Sequence, residues 1–228
     1  MSMTAFLPCR QGSQRIPNKN WKPFAHVQLG LIEIKLTQLL GCHAIDKVVL
    51  STDDAVILDY ARSLGHAKLV VHERAADLSQ NTTETNSLVS HAARLIPNGD
   101  IIWTHVTSPF ANSASYTAMI NAYNEALLHG YDSLMTTTAH QGFFWFHEQP
   151  VNYNRQQNKW PRTQTLEPVH EVNSCAFISS SANYQRYDDR IGNKVKLHPI
   201  SRFEGFDIDW PEDFKLAELM LKENFVSL

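Results

Sequence analysis

Thr4-Ala5-Phe6-Leu7-Pro8-Cys9-Arg10-Gln11-Gly12-Ser13-Gln14-Arg15-Ile16-Pro17-Asn18-Lys19-Asn20-Trp21-Lys22 sets an apolar run directly against a cationic one. Thr4 to Pro8 reads as a first buried strand. Gly12 and Pro17 then bar a regular helix or strand from the middle of residues 10–22. That loop carries Arg10, Arg15, Lys19 and Lys22, and no acid follows until Glu33. In a chain of net charge −3 such a cluster calls for an anion, and backbone N–H groups around Gly12 and Ser13 can add a nest for one. Arg supplies a planar fork for phosphate or carboxylate and Lys a mobile point charge. The competing reading is a solvated basic turn.

Working outward, strand and helix patterns alternate. Leu29, Ile32, Leu36, Leu39 and Leu40 form a helical stripe closed by Gly41, and Asp46 to Ser51 is a short buried strand. Thr52-Asp53-Asp54 looks like the start of a helix that ends at Gly65, and Ala67 to Val71 is a third strand. A helix from Thr83 to Ile96, a strand from Asp100 to Val106, a helix from about Ser113 to His129 and a strand from Tyr131 to Thr138 follow. This alternation predicts an α/β fold of three layers around a mainly parallel sheet. Ligands of such sheets bind beyond the carboxyl ends of the strands, so residues 10–22, Ser51 to Asp54 and His105 to Ser108 are expected along one rim.

The second half differs. Residues 140–165 are rich in aromatics, Asn, Gln and Pro without a helical period. Gly142 to Phe146 is expected as a strand that either lies under the sheet or projects as an arm into another subunit. Cys175 to Ser179 and Lys194 to Ile200 are further strands, and Pro211 to Glu223 is a last helix with an early Pro and an acidic first turn.

Composition bounds the function. The 228 residues suffice for one large domain, with 43% hydrophobic and 19% charged residues as in ordinary soluble proteins. The slightly acidic balance argues against a general nucleic-acid binder. Cys9, Cys42 and Cys175 lack the spacing of a disulfide framework or a zinc ribbon and read as small buried residues of a reducing compartment. No 18-residue apolar run and no signal-peptide pattern occur, so no membrane partner is expected and the cytoplasm is the default. A dinucleotide glycine fingerprint, a phosphate loop ending in Gly-Lys-Ser or Gly-Lys-Thr, a zinc-protease motif and a Gly-x-Ser-x-Gly elbow are all missing.

Two carboxylates remain. Asp207 and Asp209 flank Ile208, and strand alternation would put both acids on one face, where magnesium could take them together with substrate oxygens. The alternative is helix capping by Asp209 with Asp207 in solvent. Asp53 and Asp54 pose the same choice, with capping the stronger reading. His105 at a strand end is either packed or functional, and Arg162 either meets an acidic substrate or sits in water.

Together the loop Arg10-Gln11-Gly12-Ser13 through Pro17-Asn18-Lys19-Asn20, the segments Val48 to Asp54 and Thr107-Ser108-Pro109, Asn173, and Asp207-Ile208-Asp209 resemble the acylneuraminate cytidylyltransferases, the synthetases of CMP-sialic acid and related sugars. The resemblance spans most of residues 4–220 in order. It implies a Rossmann-like nucleotidyltransferase fold in a mixed, mainly parallel sheet. One cytidylyltransferase domain over residues 1–228 would carry a dimerisation arm at about 140–170 and form a homodimer.

The implied reaction moves CMP from CTP to a nonulosonic 2-keto sugar acid, releases pyrophosphate and uses Mg²⁺. By position, Arg10, Ser13, Arg15, Lys19, Asn20 and Ser108 would contact CTP. His105, Arg162 and Asn173 would contact the sugar, and Asp207 and Asp209 would hold the metal. Arg10, Lys19 and the two acids would be catalytic, and the proton of the attacking hydroxyl could pass to Asp209 unless a metal-bound alkoxide makes a separate base unnecessary. Gln11 and Arg15 stand where glycines are common, Phe110-Ala111 where Leu-Arg is, and Thr163 where an Arg is. These last changes fall on the sugar side, which leaves the acceptor open between a nonulosonate and Kdo. A non-catalytic nucleotide-binding module is the reading from another class. A glycosyltransferase would carry its Asp-x-Asp pair mid-chain.

Overall fold

The structure is a computed structural model and describes residues 2–78 and 85–228. The first two residues of the expected Thr83–Ile96 helix lie outside them. Its elements run β1 (Met3–Cys9), α1 (Gly30–Leu40), β2 (Lys47–Thr52), α2 (Ala55–Ser63), β3 (Leu69–Glu73), α3 (Thr85–Leu95), β4 (Asp100–Thr104), α4 (Ser113–Leu128) and β5 (Ser133–His140). The two-residue strands β6 (Trp145–Phe146) and β7 (Gln149–Pro150) follow, then β8 (Val169–Ser180), α5 (Ser181–Tyr187), β9 (Val195–Ile200) and α6 (Pro211–Lys222).

Seven strands form one sheet in the order β3-β2-β1-β4-β8-β5-β9. β1 pairs in parallel with both β2 and β4, and β5 in parallel with β9. β8 alone runs antiparallel, between β4 and β5, which makes the sheet mixed as expected. Alternation along β1 sorts its side chains. Ala5 and Leu7 join the core under α1, α2, α4 and α6, whereas Phe6 joins a smaller core with Val89 of α3, Tyr184 of α5 and Trp103. The sheet is therefore covered on both faces, as its continuous apolar strands require.

The order turns back at β1: β2 and β3 lie to one side of it and β4 to the other. The carboxyl ends of β1 and β4 thus diverge at a switch point, where a doubly wound sheet leaves its crevice. Residues 10–22 leave β1 there, and His105 to Ser108 leave β4.

Two sequence expectations are corrected. Gly142 to Phe146 is no continuous strand, because only Trp145 and Phe146 pair, with Pro150 and Gln149. Phe143, Trp145, Phe146 and Trp160 stay exposed, so this segment projects and does not lie under the sheet. Asp207 to Asp209 pairs with no strand. A backbone bond from Ile208 N to Thr107 O at 2.9 Å ties it to the segment after β4, and fully buried Ile208 turns inward as anticipated.

Candidate active site

The basic loop is held open by its own backbone and by three outside anchors. Ile16 is buried in the main core, Gln11 N donates to Asp53 Oδ1 at 2.8 Å, and Trp21 Nε1 donates to Asp54 Oδ2 at 3.0 Å. Asn20 Nδ2 closes the loop onto Arg10 O at 2.9 Å. Gly30, at φ +54°, lets α1 begin directly against this loop, since a Cβ there would overlap the Lys22 carbonyl oxygen. Asp54 also caps α2, accepting from Val56 N and Ile57 N, so capping holds for Asp54 while Asp53 serves the loop.

Arg10, Ser13, Arg15, Lys19, Asn20 and His105 line one cleft of about 220 Å³ at the switch point, floored by Cys9 and Val106. Across its mouth the loop reaches the far end of the chain. Arg15 Nη1 pairs with Asp209 Oδ2 at 3.2 Å, and its guanidinium lies 4.7 Å from the centre of the Trp210 ring. Lys19 Nζ sits 3.4 Å from Asp209 Oδ1 and donates to Ile208 O at 2.8 Å. Residues separated by some 190 positions thus meet in one site.

Asp209 does not cap α6. Asp213 does, its Oδ2 accepting from Asp209 N at 3.0 Å and Trp210 N at 2.7 Å, so the Asp209 carboxylate is left to the cations. Asp207 lies on the other side of Ile208. Its Oδ1 is buried without a hydrogen-bond partner, and burial pushes its pKa up, opposed by a hydrogen bond with Thr107. A buried carboxylate oxygen without a partner, next to a second carboxylate, fits a divalent cation, which would remove the cost of that burial.

Asp207 also lines a second hollow, of about 290 Å³, with Asn173, Arg202, Thr138, Gly205 and the pair His140–Glu171, whose Nε2–Oε2 distance is 2.7 Å. The two acids therefore stand between two hollows. A larger one, of about 740 Å³, lies between Ala25-His26 and residues 221–228. It contains none of the residues that the motifs single out.

Two expected site residues fall outside both hollows. Ser108 is fully buried, its carbonyl taken by Lys35, so its side chain does not line the cleft. Arg162 caps a short 3-10 turn in the projecting segment and lines neither hollow. Asn173 lines the second hollow, and its amide also ties the sheet there. Oδ1 accepts from Thr136 Oγ1 at 2.8 Å and Cys175 N at 3.2 Å, and Nδ2 donates to Thr138 Oγ1 at 3.2 Å.

Two buried cations escaped sequence reading. Lys35, fully buried on α1, donates to Ser108 O and Tyr116 OH, both at 2.7 Å, and to Ala111 O at 3.4 Å, bracing the segment after β4. Burial pushes its pKa down to about 8. The stripe placed Lys35 on a helix between apolar neighbours, which was the one available signal. Arg74 follows β3, nearly buried, with Nε lacking a hydrogen-bond partner and Nη2 3.7 Å from Asp53 Oδ1.

His105 is half-buried at the cleft. Desolvation, then Arg190, Lys19 and Lys35, push its pKa down to about 4 against the pull of Asp209. Trp103 Nε1 donates to its Nε2 at 3.0 Å.

A doubly wound sheet with cations and carboxylates gathered at its switch point defines a nucleotide-handling α/β enzyme. Comparison with known proteins narrows the class. The sequence profile of the cytidylyltransferase family matches residues 4–226, and the chain belongs to that family, one of CTP-dependent nucleotidyltransferases. A pseudaminic acid cytidylyltransferase of Campylobacter jejuni is 25% identical over 236 residues, covering 100% of this chain and 99% of the relative. A 3-deoxy-manno-octulosonate cytidylyltransferase of Chlamydia abortus is 34% identical over 94 residues, covering 40% of this chain and 35% of the relative. Among solved structures, a CMP:2-keto-3-deoxy-manno-octonic acid synthetase complexed with CTP superposes with a TM-score of 0.69 at 11% identity. The match covers 98% of this chain and all of that one. Among the described residues, no helix is long and apolar enough to cross a membrane.

Proposed function

We propose that the protein transfers CMP from CTP to a nonulosonic 2-keto sugar acid and releases pyrophosphate, as a step in the assembly of surface glycans. The observation that carries this reading is the closure of the N-terminal cationic loop on Asp209, beside Asp207 with its orphaned oxygen. The full-length likeness to pseudaminic acid cytidylyltransferases favours a nonulosonate acceptor.

Arg10, Arg15, Lys19 and Ser13 would grip the triphosphate, whose transfer depends on position and on neutralising oxygen charge more than on covalent help. Arg15 and Lys19 now neutralise Asp209, so an incoming triphosphate takes over cations already aimed at it. Asp207 and Asp209 are suited to hold Mg²⁺, which when bound supplies charge neutralisation at the reacting phosphate. Asp209, half-exposed, is also placed to accept the proton of the attacking anomeric hydroxyl. The second hollow, with Arg202 in its lining, offers the acceptor a cation for its carboxylate.

The projecting segment would dock on a second copy. Phe143, Trp145, Phe146 and Trp160 are all exposed there, and Arg155 lies 5.5 Å from the ring centres of Trp145 and Trp160. A cytoplasmic homodimer follows from this reading, in keeping with three buried, unpaired cysteines.

The test is pyrophosphate release from CTP and Mg²⁺ with a panel of acceptors that includes pseudaminic acid, sialic acid and Kdo. Turnover with a nonulosonate supports the proposal. Preference for Kdo, whose synthetase gives the structural match, would move the acceptor but keep the reaction. CTP binding without turnover on any member would replace the enzyme by a binding module.

A further inference from the structure

Indole Nε1–H can only donate, and in Trp103 it donates to His105 Nε2 at 3.0 Å. That nitrogen must therefore present its lone pair, which leaves the ring proton on Nδ1. Trp103 cannot easily turn away. It is 1% exposed, its ring packs edge-on against Phe6 at 4.8 Å, and the Arg190 guanidinium lies 5.3 Å from its ring centre and 3.9 Å from that of Phe177. His105 lines the cleft, and Nε2 is already taken, so Nδ1 is the nitrogen left for a ligand.

We infer that Trp103 is a positioning residue for cytidylyl transfer: it fixes His105 as the Nδ1–H tautomer, an uncharged donor at the cleft that reads a neutral oxygen of substrate, a hydroxyl or carbonyl. The inference rests on the proposed use of this cleft. It separates His105 from the phosphate-gripping cations beside it, because an imidazolium here would add one more charge to Arg10, Arg15 and Lys19. Among the charged groups that act on the ring, Arg190, Lys19 and Lys35 oppose protonation and Asp209 favours it. A neutral donor at this point costs the triphosphate nothing and offers selectivity that charge alone cannot, since an oxygen missing or replaced by CH leaves the N–H unpaired.

The experiment is ¹⁵N NMR of histidine-labelled full-length protein without substrate, a readout independent of turnover. Wild type is expected to show His105 with Nε2 unprotonated and Nδ1 protonated, unchanged from about pH 8 to about pH 5.5. The opposite tautomer, or an imidazolium in that range, overturns the inference without any variant. Trp103→Phe, which keeps a ring and drops the N–H, should bring in the Nε2–H form. It should also raise the KM of the substrate that meets His105 by up to about tenfold, with kcat less affected. In a His105→Gln background the same change should add no further loss, because an amide has no tautomer to fix. Equal losses in both backgrounds would make Trp103 a packing residue only. Absence of cytidylyl transfer in wild type would instead strike at the reaction proposed above and leave the tautomer result standing.

Discussion

Replacing Asp209 by Asn separates what this carboxylate does for the fold from what it does for the reaction. Its pairs with Arg15 and Lys19, at 3.2 and 3.4 Å, lie on a side chain that is 44% exposed. Solvent screening leaves each such pair worth about 0.2–1 kcal/mol, and backbone capping of α6 belongs to Asp213, so Tm should fall by no more than about 8 °C. Without Mg²⁺ the substitution should strengthen CTP binding. A carboxylate that repels the triphosphate and occupies two of its cations disappears, and about 1 kcal/mol at this screened position is about fivefold in Kd. With Mg²⁺ the sign reverses: wild type gains from the metal and the variant loses part of that gain. Turnover should drop by at least about 100-fold. Calorimetric titration of CTP with and without Mg²⁺, beside a pyrophosphate-release assay, reads all three quantities. A variant that binds CTP like wild type under both conditions and turns over normally would refute the role given to Asp209.

Lys35→Met should lower stability by about 2–4 kcal/mol in urea unfolding, since the carbonyls of Ser108 and Ala111 lose a buried donor while the charge itself was costly to bury. Gly30→Ala forces a side chain into a left-handed backbone and into the Lys22 carbonyl. It should cost at least about 1–2 kcal/mol and weaken CTP binding by displacing the basic loop, which thermal melts and the same titration would read. Acid should destabilise the protein through His91, whose pKa is pushed from 6.5 to about 4 by burial first and then by His72, Arg94 and Arg74. Between those values the unfolded chain takes a proton that the folded one refuses. Stability is therefore kept above pH 6.5 and lost as pH falls toward about 4, by about 3 kcal/mol from this group. His91→Leu should flatten that limb of a stability–pH curve, and an unchanged slope would remove His91 as its cause.

Local pattern made much of this molecule legible. Gly, Pro and capping signals bounded the longer helices, though not α5, and apolar runs gave the buried strands to within a few residues, because burial on both faces leaves a strand little polar choice. The half-exposed first part of β8, from Val169, carried no such run. The charge of residues 10–22 announced an anion, and the strand-end positions of that loop and His105 put both on one rim.

What the sequence could not hold is whatever depends on distance across the chain. That Asp213, not Asp209, caps α6 was hidden because either acid precedes or opens the helix, and only packing orients a carboxylate. Ser108 looked like a site residue, yet its side chain is buried and its carbonyl holds Lys35, whereas Asn173 lines the second hollow and also stitches the irregular pairing of β5 with β8. Lys35 reads on paper as a surface cation and is buried in fact, since three oxygens converge on it from residues more than seventy positions away. The alphabet of charges and apolar residues determined that a mixed α/β sheet would carry a cationic loop at its rim. The meeting of Arg15 and Lys19 with Asp209 came only with the tertiary fold, because electrostatic work falls with separation in space and takes no account of separation along the chain.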